Sequence, residues 1–292
     1  MYDEILVPID GSTGTEGAVV RALDLARISD ATVHVLSVVD TSADPPGLAA
    51  RDRDELRQYS EKRGREATQE LQQRASDRGL DTVRTVWRGT PHRMILEYVD
   101  ENAIDLVVMG THGQSEQKRR RLGSTTERVI TFADVPVLAV RLAEDVPIPE
   151  EGYTMYDHVV VPTDGSDAAE RAAEHGLTIA ERYGADVHVL YVVDTSIYGL
   201  EDAPRSIVGL LEEGGRKAVE GVATVARERN LPVTTNILRG VPETEILAYA
   251  EGVGADLVTL GTRGRSAGTD HLLGSTTARI VGRTDVPVLT TN

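Results

Sequence analysis

The sequence contains no cysteine. Disulfides, cysteine-ligated zinc and thiol catalysis are therefore excluded. It also lacks any apolar run near the ~20 residues that a membrane-spanning helix needs. The opening Met1-Tyr-Asp-Glu leads straight into a strand pattern, without the basic and apolar regions of a signal peptide. A cytoplasmic protein is the expectation. Lysine is nearly missing: Lys62, Lys118 and Lys217 are the exceptions among 31 basic residues, the rest being arginine. The 47 acidic residues leave a formal net charge of −16. That speaks against general binding to nucleic acid or to an anionic membrane, because both require a cationic surface. An acidic, lysine-poor surface fits a halophilic, salt-rich cytoplasm, where charge repulsion is screened over short distances. A GC-rich genome would also favour arginine. Common catalytic signals are missing too. There is no G-x4-G-K-[ST] loop and hence no P-loop lysine. Neither a G-x-S-x-G elbow nor an H-E-x-x-H zinc motif occurs.

What the chain does contain is one unit written twice. Its 292 residues suggest about two domains. Glu4-Ile-Leu-Val-Pro-Ile-Asp-Gly-Ser12 returns as His158-Val-Val-Val-Pro-Thr-Asp-Gly-Ser166, at an offset of 154. Ala31–Asp40 returns at the same offset as Ala185–Asp194. Arg88-Gly-Thr-Pro91 and Asp134-Val-Pro-Val-Leu138 return at 151, as Arg239-Gly-Val-Pro242 and Asp285-Val-Pro-Val-Leu289. Three residues are thus missing from the second copy between its second and third strands, where a loop tolerates deletion. Domains are expected over 1–141 and 157–292, joined by a proline-containing acidic linker over 142–156.

Within the first copy, apolar runs near 4–9, 32–39, 82–87, 105–109 and 135–140 read as strands. Amphipathic stretches near 14–29, 50–78, 91–102 and 124–132 read as helices. Val33, Val35, Leu36, Val38 and Val39 lie almost consecutively, as in a parallel strand covered on both faces. Alternating strand and helix implies right-handed crossovers and a doubly wound α/β sheet in each copy. Mid-strand His34 and His188 read as packing residues, Trp87 as packing or a partly exposed strand residue, and the charged face of 51–78 as a solvated helix face.

Open parallel sheets bind ligands beyond the carboxyl ends of their strands. Three repeated features fall there. Asp10 and Asp164 follow the first strand, and Val38-Val39-Asp40 and Val192-Val193-Asp194 close the second. After the fourth comes Gly110-Thr-His-Gly113, nine residues, then Gly123-Ser124-Thr125-Thr126; the second copy has Gly261-Thr-Arg-Gly264, nine residues, then Gly274-Ser275-Thr276-Thr277. Glycines at a strand end admit backbone N–H groups close to a ligand, and a helix N-terminus attracts anions. A nucleotide suits such a crevice, its base against the valines, its sugar near the aspartate and its phosphates at the glycines. Ser124 and Ser275 would also serve as N-caps.

These motifs resemble the universal stress protein family, specifically its ATP-binding branch, whose pattern is G-x2-G-x9-G-[S/T] after the fourth strand with an aspartate ending the first. The resemblance covers both copies and leaves out the linker. It implies a five-stranded parallel, Rossmann-like sheet of the adenine nucleotide alpha hydrolase kind in each domain, and ATP (or ADP or AMP) held with Mg2+ through the phosphates. Carried over by position, Asp10 and Asp164 meet the ribose and phosphates, and Val38 and Val192 contact adenine. Met109 and Leu260 border the pocket. Gly110, Gly113, Gly123, Ser124 and Thr125 hold phosphates in the first copy; Gly261, Gly264, Gly274, Ser275 and Thr276 do so in the second. The resemblance further implies that the apolar fifth strands pair, here copy one against copy two, as an intramolecular pseudo-dimer with homodimerisation open to it. The first copy departs from the family in its spacer, where Lys118-Arg-Arg-Arg121 replaces small and apolar residues. That run reads as a solvated loop, or as a cationic element for triphosphate or an acidic partner.

The leading function is a stress-response protein that senses or sequesters adenine nucleotide and acts through an unidentified protein partner. A slow Mg2+-dependent ATPase and a chaperone-like scaffold with vestigial sites are the alternatives. No catalytic residue is assigned, because no base–nucleophile constellation is evident.

Overall fold

The computed structural model describes residues 1–11, 15–42, 47, 49–112, 122–141, 154–196, 205–264 and 272–292. The chain divides into two compact units, Met1–Ile148 and Pro149–Asn292. The first runs β1 (Glu4–Ile9), α1 (Glu16–Ser29), β2 (Thr32–Asp40), α2 (Ala50–Ser76), β3 (Thr82–Gly89), α3 (Pro91–Glu101), β4 (Leu106–Gly110), α4 (Ser124–Phe132) and β5 (Val137–Val140). The second repeats this order as β6 (His158–Pro162), α5 (Asp167–Tyr183), β7 (Asp186–Asp194), α6 (Arg205–Glu228), β8 (Val233–Gly240), α7 (Pro242–Val253), β9 (Leu257–Gly261), α8 (Ser275–Arg283) and β10 (Val288–Thr291). Strands of the first unit lie in the order β3-β2-β1-β4-β5, and those of the second in the order β8-β7-β6-β9-β10. Pairing is parallel throughout each unit. The doubly wound α/β architecture read from the sequence is therefore the observed one.

Burial explains why these segments form strands. Ile5, Leu6, Val7, Val33, Val35, Leu36, Leu106, Val107 and Val108 have no exposed surface, as expected where helices cover both faces of a parallel sheet. Each such side chain contributes about 1.5–3 kcal/mol of burial free energy. α1 buries Ala18, Val19, Ala22, Leu23 and Ala26, a helical stripe facing the strands. α2 behaves differently. Its buried residues are Gly64, Thr68, Leu71 and Ala75, one narrow stripe, and its exposed face carries i,i+4 pairs such as Arg51–Glu55 and Lys62–Glu66. A Cβ at Gly64 would lie 2.7 Å from Ser37 Oγ, and one at the equivalent Gly215 would lie 2.5 Å from Tyr191 Cδ1. Glycine at these positions lets the second helix of each unit press onto the second strand.

The three missing residues can be placed more closely than the sequence allowed. Glu61 pairs with Arg88, and Glu212 with Arg239, and both members of the pair are related by 151. The offset has therefore already changed before Glu212. The loss therefore falls between Asp194 and Glu212. The fifth strands begin at Val137 and Val288 rather than at Val135 and Val286, because Pro136 and Pro287 have no N–H to enter the ladder. Their carbonyls still accept from Val107 and Val258, each at 3.0 Å. Residues 142–153 of the expected linker lie outside the described residues.

His34 is a packing residue, as its position in the strand suggested. Its Nδ1 lies 2.9 Å from the Tyr98 hydroxyl and its Nε2 2.7 Å from Glu4 Oε2. Trp87 packs edge-on against Tyr98, ring centroids 5.1 Å apart.

Candidate functional site

In each unit the strand order reverses between the first and fourth strands, β1 and β4 or β6 and β9. Such a reversal is where open parallel sheets take up ligands, beyond the carboxyl ends of the strands. Asp10 directly follows β1, and Gly110 ends β4. In the second unit Asp164 follows β6 by two residues and Gly261 ends β9. A measured approach joins the two segments: a Cβ built on Gly264 would fall 2.6 Å from Asp164 Oδ2. The second glycine of the pattern and the aspartate after the first strand thus face each other. Asp164 Oδ1 meanwhile accepts from the Ser166 amide at 3.0 Å, and Thr163 Oγ1 accepts from the Gly165 amide at 3.1 Å. These bonds hold the Asp-Gly-Ser turn, whose Ser166 caps α5 by accepting from the Ala169 amide.

The other glycines have different tasks. A Cβ at Gly261 would sit 2.9 Å from the backbone of Ala168 and Ala169 in α5, so Gly261 admits the helix against the strand end. At Gly274 a Cβ would lie 2.9 Å from the Thr262 carbonyl oxygen, and at Gly123 one would lie 3.0 Å from that of Thr111. Their amides donate to these same carbonyls, at 2.8 and 2.9 Å. The chain therefore leaves the fourth strand and is hooked back one residue after it left. A second bond locks the hook: Thr126 Oγ1 donates to the Gly110 carbonyl, and Thr277 Oγ1 to that of Gly261, both at 2.8 Å. Neither threonine was singled out from sequence as a site residue. The matching G-S-T-T copies were the signal that could have found them.

Two sequence expectations need correction. Ser124 and Ser275 do not cap the helices that follow; Gly123 and Gly274 occupy the N-cap positions, and neither cap makes a side-chain hydrogen bond. Serine is displaced to the first helical position because the glycine must make the hook. The first-turn amides, Ser124–Thr125 and Ser275–Thr276, therefore point out of an uncapped helix end toward any anion placed there. The paired valines cannot both wall one crevice. Val39 and Val193 are buried in the core, whereas Val38 and Val192 are half-buried on the opposite face, as strand alternation requires. Asp40 and Asp194 organise the turn beyond, each accepting from the amide two residues on at 2.8 Å. Met109 and Leu260 are buried at the ends of the fourth strands. Gly113 and Lys118–Arg121 lie outside the described residues.

The model of the universal stress protein family matches residues 1–141 and 155–292. The chain belongs to that family. A universal stress protein of Methanocaldococcus jannaschii is 40% identical over 141 residues, covering 47% of this chain and 83% of its own. One from Mycolicibacterium smegmatis is 27% identical over 304 residues, covering 98% of this chain and 95% of its own. The crystal structure of a universal stress protein from Archaeoglobus fulgidus shares the fold, with a TM-score of 0.74 at 22% identity, covering 99% of this chain and 96% of that one.

Between the two universal stress protein units, the residues bordering the site are not identical. At the start of α3, His92 accepts from Arg128 Nη1 at 3.4 Å. Burial first, then Arg128 and Arg93, push this imidazole toward its neutral form, while Asp40 opposes them. The equivalent residue at the start of α7 is Glu243, buried and paired with Arg279 at 2.5 Å. On the opposite side, Arg63 of α2 donates to the Gly11 carbonyl at 3.2 Å; its counterpart in α6 is Gly214. Arg74 bridges to both carboxylate oxygens of Glu16, at 2.6 and 2.9 Å. Val225 stands at Arg74's place in the second unit, where a cavity of about 380 Å³ lies between α5 and α6.

Proposed function

We propose that each unit holds one adenine nucleotide at the carboxyl ends of its strands, and that the protein acts in the cytoplasm as a nucleotide-binding stress protein with output through a protein partner. One observation carries the reading. At a strand-order reversal Gly264 lies directly against Asp164 Oδ2, and α8 of the same glycine pattern begins at a glycine N-cap with no side-chain hydrogen bond. A sugar hydroxyl suits the carboxylate, and phosphate oxygens suit the first-turn amides of α8. Charge-assisted bonds of this kind contribute about 1.5–3 kcal/mol each. Val192 offers apolar contact to a base on the half-buried face of β7. In the first unit Asp10, Val38, Gly110, Gly113, Gly123, Ser124 and Thr125 take the corresponding roles.

Among the described residues no group of three or more His, Asp or Glu side chains is placed to hold a metal ion. A magnesium ion would enter with the phosphates, and Asp10 and Asp164, just beyond the first strands, are the carboxylates that would meet it. It would neutralise phosphate charge there. Isothermal titration with ATP and magnesium on the Gly113→Val, Gly264→Val double variant tests the assignment. Binding as tight as in the parent protein would sink it. ATP turnover above roughly 1 s⁻¹, the low end of ordinary enzyme rates, would favour the ATPase reading instead.

A further inference from the structure

At the amino ends of the strands, far along each sheet from the nucleotide crevice, the two units carry the same side-chain chain with two members exchanged, Glu4 for His158 and Thr85 for Asn236. In the first, the Tyr98 hydroxyl meets His34 Nδ1 at 2.9 Å, and His34 Nε2 meets Glu4 Oε2 at 2.7 Å. In the second, Asn236 Nδ2 donates to the Tyr249 hydroxyl at 2.9 Å, and that hydroxyl lies 3.1 Å from His188 Nδ1. The hydroxyl oxygen accepts from Asn236, and its own proton is free to go to His188 Nδ1. In that arrangement the neutral imidazole carries its hydrogen on Nε2. In the first unit that Nε2–H points at a carboxylate. In the second the residue equivalent to Glu4 is His158, with ring centroids 5.6 Å apart. His188 Nε2 and His158 Nδ1 are both buried without a hydrogen-bond partner among the described residues.

We propose that the His158–His188 pair is an acid-responsive latch, which keeps the amino ends of β6 and β7 packed against α7 while both rings are neutral and loosens them when the rings take up protons. Protonating His188 at Nδ1 forces Tyr249 to give up its donated bond. A second proton, on His158, places like charges side by side. Even with full water screening, charges about 5.6 Å apart repel enough for roughly a threefold change in an equilibrium. Groups facing the pair from the packed elements are Asp157 beside β6, Asp186 on β7, Tyr249 on α7, Asn236 on β8 and Asp256 before β9. Asp256 Oδ2 is engaged by the Asp157 and His158 amides, at 2.8 and 3.0 Å. Asp186 is exposed and offsets part of the repulsion. Burial, then His158, push the His188 imidazole below the ordinary histidine value. Such a group contributes stability that is full above its unfolded value, ~6.5, and that is lost as pH falls from there toward the folded value.

Hydrogen exchange of the full chain, followed by mass spectrometry at pH 7.5 and 5.5 and corrected for intrinsic rates, tests the latch. Peptides covering β6, the first half of β7 and α7 should open about threefold or more readily at pH 5.5; those covering β1 and β2 should not. His158→Glu restores the first unit's carboxylate, and His158→Gln removes the second charge. Both should reduce the acid response of the second unit at least threefold. An equal response in the parent and both variants, or the same opening at β1 and β2, would overturn the proposal.

Discussion

Exchanging single glycines for alanine should separate packing from binding inside the glycine pattern. At Gly261 the new methyl would lie 2.9 Å from Ala168 C and Ala169 N, well inside ordinary contact. These are backbone atoms of α5 and cannot move without shifting the helix, so Gly261→Ala should cost about 1–3 kcal/mol, as overpacking does. For a unit of this size that corresponds to a melting-temperature drop of roughly 3–15 °C. At Gly264 the methyl would meet Asp164 Oδ2 at 2.6 Å, the far end of a side chain that can rotate. Gly264→Ala should therefore change stability by no more than about 0.5 kcal/mol. It should still turn the carboxylate aside and block the approach of a phosphate, losing at least one charge-assisted hydrogen bond, which is about tenfold or more in the second site's Kd for ATP. Calorimetric melting and isothermal titration of the two full-length variants read both quantities. If Gly264→Ala destabilised the protein as much as Gly261→Ala, or bound ATP unchanged at both sites, the division of roles would be wrong.

Thr277→Val and Thr126→Val keep the shape but remove the bond to the first glycine's carbonyl; each should cost about 1–3 kcal/mol, because a buried acceptor loses its donor, and denaturant titration measures it. Ala103 holds a φ of 48° where the second unit has Gly254 at 64°. Ala103→Gly should therefore raise stability by up to about 1 kcal/mol, and Gly254→Ala should lower it by about 1–2 kcal/mol; melting curves that moved in the opposite directions would count against this backbone argument. The acidic, lysine-poor composition predicts that thermal stability rises in molar KCl. A melting temperature indifferent to KCl would leave the arginine bias to genome composition.

The strands and helices were readable because each repeats its period twice and the units are buried as parallel sheets are. The P-x-D-G-S and glycine segments could likewise be placed at strand ends, since in an alternating fold they have nowhere else to fall. What each glycine does could not be read. That depends on which backbone crosses it: α5 at Gly261, the Thr262 carbonyl at Gly274, and Asp164 at Gly264. The serine after the third glycine looked like an N-cap by residue type, but the hook to Thr111 or Thr262 fixes the cap one residue earlier. Val38 and Val39 look alike in sequence, and only the pleat sends one to the core. His34 and Tyr98 are 64 residues apart, and Glu4 lies on another strand, so the difference between the Glu4 and His158 arrangements needed the sheet register to become visible.

The claim that two nucleotide sites exist in one chain is tested most directly by native mass spectrometry of the intact protein titrated with ATP and magnesium. The account predicts two successive, saturable additions of one ATP each, the second lost in Gly264→Val. No saturable addition, or an addition that Gly264→Val leaves untouched at both sites, would contradict it.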